Sequence, residues 1–328
     1  SAGADATCVG CGVRWRQMVL DAGAGPRAGE TFVPPPGLAA DLASRGFLTP
    51  LRDGSGDCGR EEYSAGQSWV DRGTYGGADG ADNLYGFFCN VNVKSLVWYV
   101  PENFEDAGYE VPTTMEELKA LSDQIVADGE TPWCIGLGSG GATGWPATDW
   151  VEDLMLRTQP PSVYDQWVTN EIPFNDPRVV AAIDEFGSFA RNDDYVAGGA
   201  AAVASTDFRD SPKGLFTSPP QCYLHRQASF IPADFPEGTE VGFDADFFYF
   251  PAYENKDLGR PVMGAGTLLG ITNDNPAANV FVDFLETSFA HELMMTQNGF
   301  LTPHKGADPV NYINDTARGQ GEILLNAT

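Results

Sequence analysis

Short apolar runs, separated by stretches with clear helix-start signals, constrain this chain more than any other feature. Leu96-Val-Trp-Tyr99, Trp133-Cys-Ile-Gly-Leu137, Phe247-Phe-Tyr-Phe250 and Leu268-Leu-Gly-Ile271 are of strand length and strand composition. Between them, Thr114 and Glu117 form a capping box, in which hydroxyl and carboxylate satisfy the free amides of a helix start. Leu118, Leu121 and Ile125 then recur at helical spacing, and Gly129 supplies a left-handed stop. Asp176-Pro177 opens a second helix with Val180, Ile183 and Phe186 on one face, and Asn275-Pro276 opens a third carrying Val280, Phe281, Phe284 and Leu285. Strands alternating with helices argue for α/β layering. Apolar runs that are continuous, not alternating, predict strands covered on both faces.

Length and charge then narrow the function. A chain of 328 residues holds about two domains at roughly 150 residues each. With 42% hydrophobic and 12% aromatic residues it is not a disordered chain. Its 46 acidic against 19 basic residues give a net charge of -27, and no Lys/Arg cluster offsets it, so nucleic acid and anionic membrane surfaces are poor partners. No run approaches the roughly 20 apolar residues of a membrane span, so no stable membrane insertion is expected. The start, Ser1-Ala-Gly-Ala-Asp5, has neither the basic nor the apolar region of a signal peptide, so any such leader is expected to be already absent. Glycine-rich stretches at 73–80, 136–144 and 198–202 punctuate the chain without forming long linkers.

The six cysteines are Cys8, Cys11, Cys58, Cys89, Cys134 and Cys222. Cys8-Val-Gly-Cys11 has metal-like spacing, but no second CxxC follows and His225, His291 and His304 are far away in sequence. No metal and no cofactor are expected, since nothing resembles a nucleotide loop, a Ser-His-Asp order or a metal cluster. Cys134 and Cys222 each lie in an apolar setting. Two readings stand: buried free thiols, or a disulfide that requires an oxidising compartment.

At Tyr99-Val-Pro-Glu-Asn-Phe104-Glu-Asp-Ala-Gly108-Tyr-Glu-Val-Pro112, followed by Thr114-Met-Glu-Glu117-Leu118, the chain resembles a known family. These are the extracellular solute-binding proteins (family 1) that feed carbohydrate ABC transporters. Val91-Asn-Val-Lys94-Ser-Leu-Val-Trp98-Tyr99, Gly144-Trp145-Pro146-Ala-Thr-Asp149-Trp150, Cys222-Tyr-Leu-His225-Arg226-Gln227, Met263-Gly-Ala-Gly266-Thr-Leu-Leu-Gly270 and Gly299-Phe-Leu-Thr-Pro303-His304-Lys305 resemble its α-glucoside-binding members. The resemblance runs from about Phe32 to the end; the motifs are specific together and not singly. It implies an α/β two-lobe periplasmic-binding-protein (clamp) fold with hinge strands, closing on ligand. The first lobe would hold residues 1–100 and 264–306, the second 101–263 and 307–328. Little sequence precedes Pro34-Pro35-Pro36-Gly37, residues 8–29 match the family poorly, and members continue past a segment like Gly321-Glu-Ile-Leu-Leu-Asn-Ala327. The clamp is therefore expected to be truncated at both ends. The resemblance also implies an exported, periplasmic or extracellular protein with a membrane permease as partner.

Trp145 follows a glycine-rich loop and precedes a helix start, a natural ligand position at the carboxyl end of a strand. A pyranose presents a face of C–H groups that stacks on an indole. The competing reading is a core tryptophan; the glycine run and the resemblance favour ligand contact. Asp149, four residues on, shares the helix face, where it either accepts two hydroxyl bonds or complements the helix dipole from the first turn. Asn92 and Lys94 alternate with Val91 and Val93, on a solvated face or toward ligand. His225 and Arg226 interrupt an apolar run; Arg226 would reach a sugar hydroxyl or a carboxylate such as Asp149, or else pin backbone carbonyls. Gly264 and Gly266 would admit backbone close to ligand or relax a hinge strand, and Pro35, Pro36 and Gly37 would border the site from the first lobe.

A small-molecule α-glucoside or related di- or oligosaccharide is thus the expected ligand, delivered to the permease without catalysis. A glycoside hydrolase is the rival from another class, since it too sets aromatics beside carboxylates. It needs two carboxyl groups about 5–9 Å apart across one bond, and Asp149 with Glu152 or Asp153 is only a nominal pair. A sugar sensor on the same fold is the third reading. Trehalose, sucrose and maltose all suit the same stacking residues.

Overall fold

The computed structural model describes residues 31–327 apart from 33–35, 53 and 298. Backbone contacts divide these residues into two compact units. The first runs to Asn92 and resumes over Ala265–Ile313; the second comprises Val93–Gly264 and the chain from Asn314 onward. The strands are β1 (Thr31–Phe32), β2 (Thr74–Gly76), β3 (Asp82–Leu84), β4 (Gly86–Val93), β5 (Leu96–Tyr99), β6 (His225–Arg226), β7 (Asp246–Tyr249) and β8 (Gly264–Ile271). The helices are α1 (Pro36–Ser44), α2 (Ser55–Glu62), α3 (Gly66–Gly73), α4 (Pro101–Ala107), α5 (Met115–Ala127), α6 (Trp145–Thr158), α7 (Pro161–Val168), α8 (Pro177–Ala190), α9 (Ala200–Val203), α10 (Pro276–Leu285), α11 (Ser288–Met295) and α12 (Asp315–Leu325).

In the first unit β8 lies between β1 and β4, and β2 pairs with β3. Its apolar centre joins Leu51, Phe87, Leu269, Ile271, Ala278 and Val282. A Cβ at Gly266 would run into the Phe88 ring, so packing inside this unit already accounts for glycine there. A second, polar centre surrounds His291. Its Nδ1 lies 2.6 Å from Thr302 Oγ1 and its Nε2 3.2 Å from the Tyr63 hydroxyl. The segment around Thr302 is tied in by Val91 N donating to Leu301 O and Lys305 N donating to Glu62 O.

In the second unit β5 is the central strand of an antiparallel sheet, with Val97 opposite Arg226 on one side and Phe248 on the other. Leu96, Val97 and Trp98 are fully buried, as a continuous apolar run requires. The core around them is aromatic. Trp133, Trp150, Phe189 and Phe250 pack with ring centroids 5.3–5.5 Å apart, mostly edge to face, the arrangement their quadrupoles favour. Helix α5 starts at the capping box: Thr114 Oγ1 accepts from Glu117 N, and Glu117 Oε2 accepts from Thr114 N. Leu118, Leu121 and Ile125 face the core.

Three local expectations are corrected. The run from Trp133 to Leu137 is not a strand; Trp133 makes single bridges to Val196 and Leu224, and the chain then hugs residues 203–208 through Leu137 N to Val203 O and Gly138 N to Thr206 O. Glycine at 136 and 138 permits that approach, because a Cβ at either position would meet the backbone of Thr206. Helix α8 buries Val179, Ala182 and Phe189 and packs Ile183 and Phe186 against the same core as expected, while Val180 is 40% exposed. Helix α10 buries Ala278, Asn279 and Val282, leaving Val280, Phe281 and Phe284 exposed. A helix's own periodicity names two adjacent faces almost equally well, and the neighbouring elements select between them.

Candidate functional site

Helix α6 carries the candidate site. Gly144 precedes it in the left-handed region (φ 108°) and Pro146 stands in its first turn, where proline's missing N–H and fixed φ suit a helix start. Trp145 is therefore the first helical residue, and the loop before it packs on Thr206-Asp207-Phe208 through Phe208 N donating to Gly138 O. This brings Phe208 edge-on to the indole at 5.0 Å between centroids, with Phe230 tilted at 6.0 Å. Lys94 places its ammonium 5.4 Å from the centre of the Trp145 ring, a cation–π distance.

The same ammonium donates to Asp149 Oδ1 at 2.7 Å. Asp149 is 3% exposed and lies in the second turn of α6, not the first, so helix-dipole compensation is not its role. Burial pushes its carboxyl up, while Lys94 and then Arg226 pull it back. Its second oxygen, Oδ2, has no partner among the described residues, and neither does the buried indole nitrogen of Trp145. Unmatched buried polar atoms are costly in a folded chain and call for an explanation. Here an acceptor and a donor stand one helical turn apart on the same face, beside an aromatic ring. Glu152 is also pushed up by burial, with Tyr164 donating to its Oε2 at 2.7 Å.

Arg226 does not reach Asp149 as a partner. Its Nη2 donates to Asp153 Oδ2 at 2.6 Å, and Asp153 also receives Ser95 Oγ and Arg157 Nη1, all fully buried or nearly so. The carbonyl-pinning residue is Arg157, which donates to Phe250 O and Pro251 O. Asp153 spends both oxygens on these partners, so it is not available as the acid or base of a hydrolytic pair with Asp149.

His225 lies inside the unit at 2% exposure. Its Nδ1 donates to the Cys134 carbonyl at 2.9 Å, and burial holds its pKa at about 4, so the ring is neutral. Cys134 is itself bonded to Cys222 (Cα–Cα 5.5 Å). A Cβ at Gly214 would intrude on both sulfurs. Asn92 sits half-buried on β4 and Gly264 opens β8. Pro35, Cys8 and Cys11 lie outside the described residues; Pro36 and Gly37 open α1. Among the described residues no cluster of His, Cys, Asp and Glu is arranged to hold a metal ion. No helix among the described residues is long and apolar enough to cross a membrane.

Reading the sequence did not place Phe208, Phe230, Ser95 or Arg157 at the site. For Arg157 a signal existed, because Asp149, Asp153 and Arg157 repeat at four-residue spacing on one helix. Phe208 and Phe230 carry no local signal.

The family model for the bacterial extracellular solute-binding protein matches residues 12–288 of this chain. The chain is 65% identical over 314 residues to the alpha-glucosides-binding periplasmic protein AglE of Rhizobium meliloti (strain 1021), covering 95% of this chain and 69% of that one. It is 43% identical over 309 residues to the osmoprotective compounds-binding protein GgtB of Synechocystis sp. (strain ATCC 27184 / PCC 6803 / Kazusa), covering 94% and 71%. Among solved structures, the bacterial solute receptor AcbH shares the fold at a TM-score of 0.71 and 22% identity, covering 96% of this chain and 76% of that one.

Proposed function

Because the chain belongs to the bacterial extracellular solute-binding proteins, we propose that it captures an α-glucoside or related small saccharide and hands it unchanged to an ABC-transporter permease. The observation that carries the substrate class is the 65% identity to AglE, whose name states that it binds α-glucosides. The geometry supports it. Trp145 supplies an aromatic platform, and its N–H with Asp149 Oδ2 supplies an unmatched donor and acceptor for hydroxyls. Trp145 and Asp149 are the ligand contacts in this reading, with Asn92 and Gly264 as further candidates. Arg226 and His225 support the site from behind. Asp153 is consumed by Ser95, Arg157 and Arg226, which removes it from a hydrolytic pair with Asp149.

The test is titration calorimetry of the protein with trehalose, sucrose and maltose, together with an assay for release of glucose. Saturable binding without glucose release is the expected result. Release of glucose from the bound sugar overturns the binding-protein reading, and the absence of heat with all three sugars overturns the substrate class.

A further inference from the structure

We propose that Lys94 is a positioning residue and not a sugar contact: it engages one oxygen of Asp149 so that the other is free to accept a hydroxyl from an uncharged ligand beside Trp145. The inference rests on the ligand role of Trp145 and Asp149 proposed above.

The position of Lys94 is built from its backbone outward. Lys94 N donates to Met263 O at 2.8 Å, and the adjacent Ser95 Oγ accepts from Met263 N at 2.8 Å while donating to Asp153 Oδ1 at 2.8 Å. Residues 94 and 95 thus grip successive turns of α6, at Asp149 and at Asp153. The Lys94 side chain is 16% exposed and that of Asp149 4%. With a carboxylate oxygen at 2.7 Å and an indole face at 5.4 Å, the ammonium already has both the partners such a charge seeks. What remains unmatched is not Lys94 but Asp149 Oδ2 and Trp145 Nε1.

The charges around Asp149 balance. Lys94 faces it from the link after β4, Arg226 from β6, and Asp153 with Glu152 from α6 itself. Arg157 completes the set through Asp153. Three cations and three carboxylates leave no net charge for a ligand to neutralise, so an ionic ligand would be buried uncompensated. The site therefore takes an uncharged ligand. Lys94 is the largest influence keeping the buried Asp149 ionised. Without it the carboxyl holds its proton to higher pH and ceases to offer a bare acceptor.

The test compares wild type, Lys94→Met, Lys94→Gln, Lys94→Arg and Asp149→Asn by calorimetry with maltose, trehalose and sucrose across about pH 6 to 9, with melting curves to show that each is folded. Wild-type affinity is expected to change little over this range. Lys94→Met should bind about tenfold or more weakly near pH 6 and recover as pH rises and Asp149 ionises. Lys94→Gln repeats this with a polar neutral side chain, should the methionine variant fold poorly. Lys94→Arg should keep the flat wild-type profile, and Asp149→Asn should be weak at every pH. Uniform weakening without a pH slope in the neutral variants would make Lys94 a direct contact and overturn the proposal, as would wild-type affinity in them. Wild-type protein that binds none of the sugars instead removes the proposed function, and this inference with it.

Discussion

Both units bury polar side chains, yet they treat them differently. In the first unit His291 is completely buried and both of its ring nitrogens have partners, Thr302 and Tyr63. His304 continues the cluster, its Nδ1 accepting from Gly306 N. In the second unit the network around α6 is extensive but incomplete. Trp145 Nε1, Asp149 Oδ2, His225 Nε2 and Arg226 Nε are buried without partners among the described residues, against Glu286 Oε1 in the first unit. A closed network fixes chain segments to one another; an open one at a protein's aromatic face holds polarity in reserve for something else. The first arrangement is explained by folding alone. The second is the arrangement on which the proposed ligand role of Trp145 and Asp149 rests.

The contrast can be broken at four points. The largest effect is expected at Asp153, whose removal strands two buried guanidinium groups. Asp153→Ala should cost about 3–5 kcal/mol of stability, read from denaturant unfolding, and a loss below about 1 kcal/mol would show the cluster to be solvated. Next is Trp145→Ala, expected to weaken sugar binding by roughly 2–4 kcal/mol, thirtyfold to a thousandfold. Its stability loss should be the smaller of the two changes. Intact affinity with a collapsed melting temperature would return Trp145 to the core.

The third prediction concerns pH. Burial lowers His291 to about 4, so its stabilising contribution is complete above its unfolded pKa near 6.5 and is lost as pH falls toward 4. Glu286 is raised to about 7 by burial, which has the opposite sign. Its contribution is present below its unfolded pKa near 4.5 and is lost as pH rises through 7. The two offset each other between these limits. Glu286→Gln removes the second contribution, so its stability should fall more steeply than wild type on acidification, by roughly 2 kcal/mol between about pH 7 and 5. Parallel melting-temperature profiles for the two proteins would sink this assignment. The smallest effect is expected for Thr302→Val, about 1–2 kcal/mol from leaving His291 Nδ1 unmatched. Sugar affinity should be unchanged, and any loss of affinity there would erase the distinction between the closed and open networks.

Local chemistry alone determined where several helices begin. Thr114 with Glu117, Asp176 before Pro177 and Asn275 before Pro276 each cap a helix with their own side chains, because capping joins residues two or three apart in sequence. The burial of β5 and the placement of Trp145 at the head of α6 were legible for the same reason: a continuous apolar run and a Gly-Trp-Pro string carry their information locally. What the sequence could not decide was which residues meet across long separations. Lys94, and not Arg226, joins Asp149; Arg226 joins Asp153, Phe208 closes on Trp145, and His225 turns inward to the Cys134 carbonyl. Nor could periodicity tell that α10 would turn Phe281 and Phe284 outward. Each of these depends on how separately formed elements pack. Packing energy comes from surfaces that only the tertiary fold brings together, and no stretch of sequence specifies such a surface by itself.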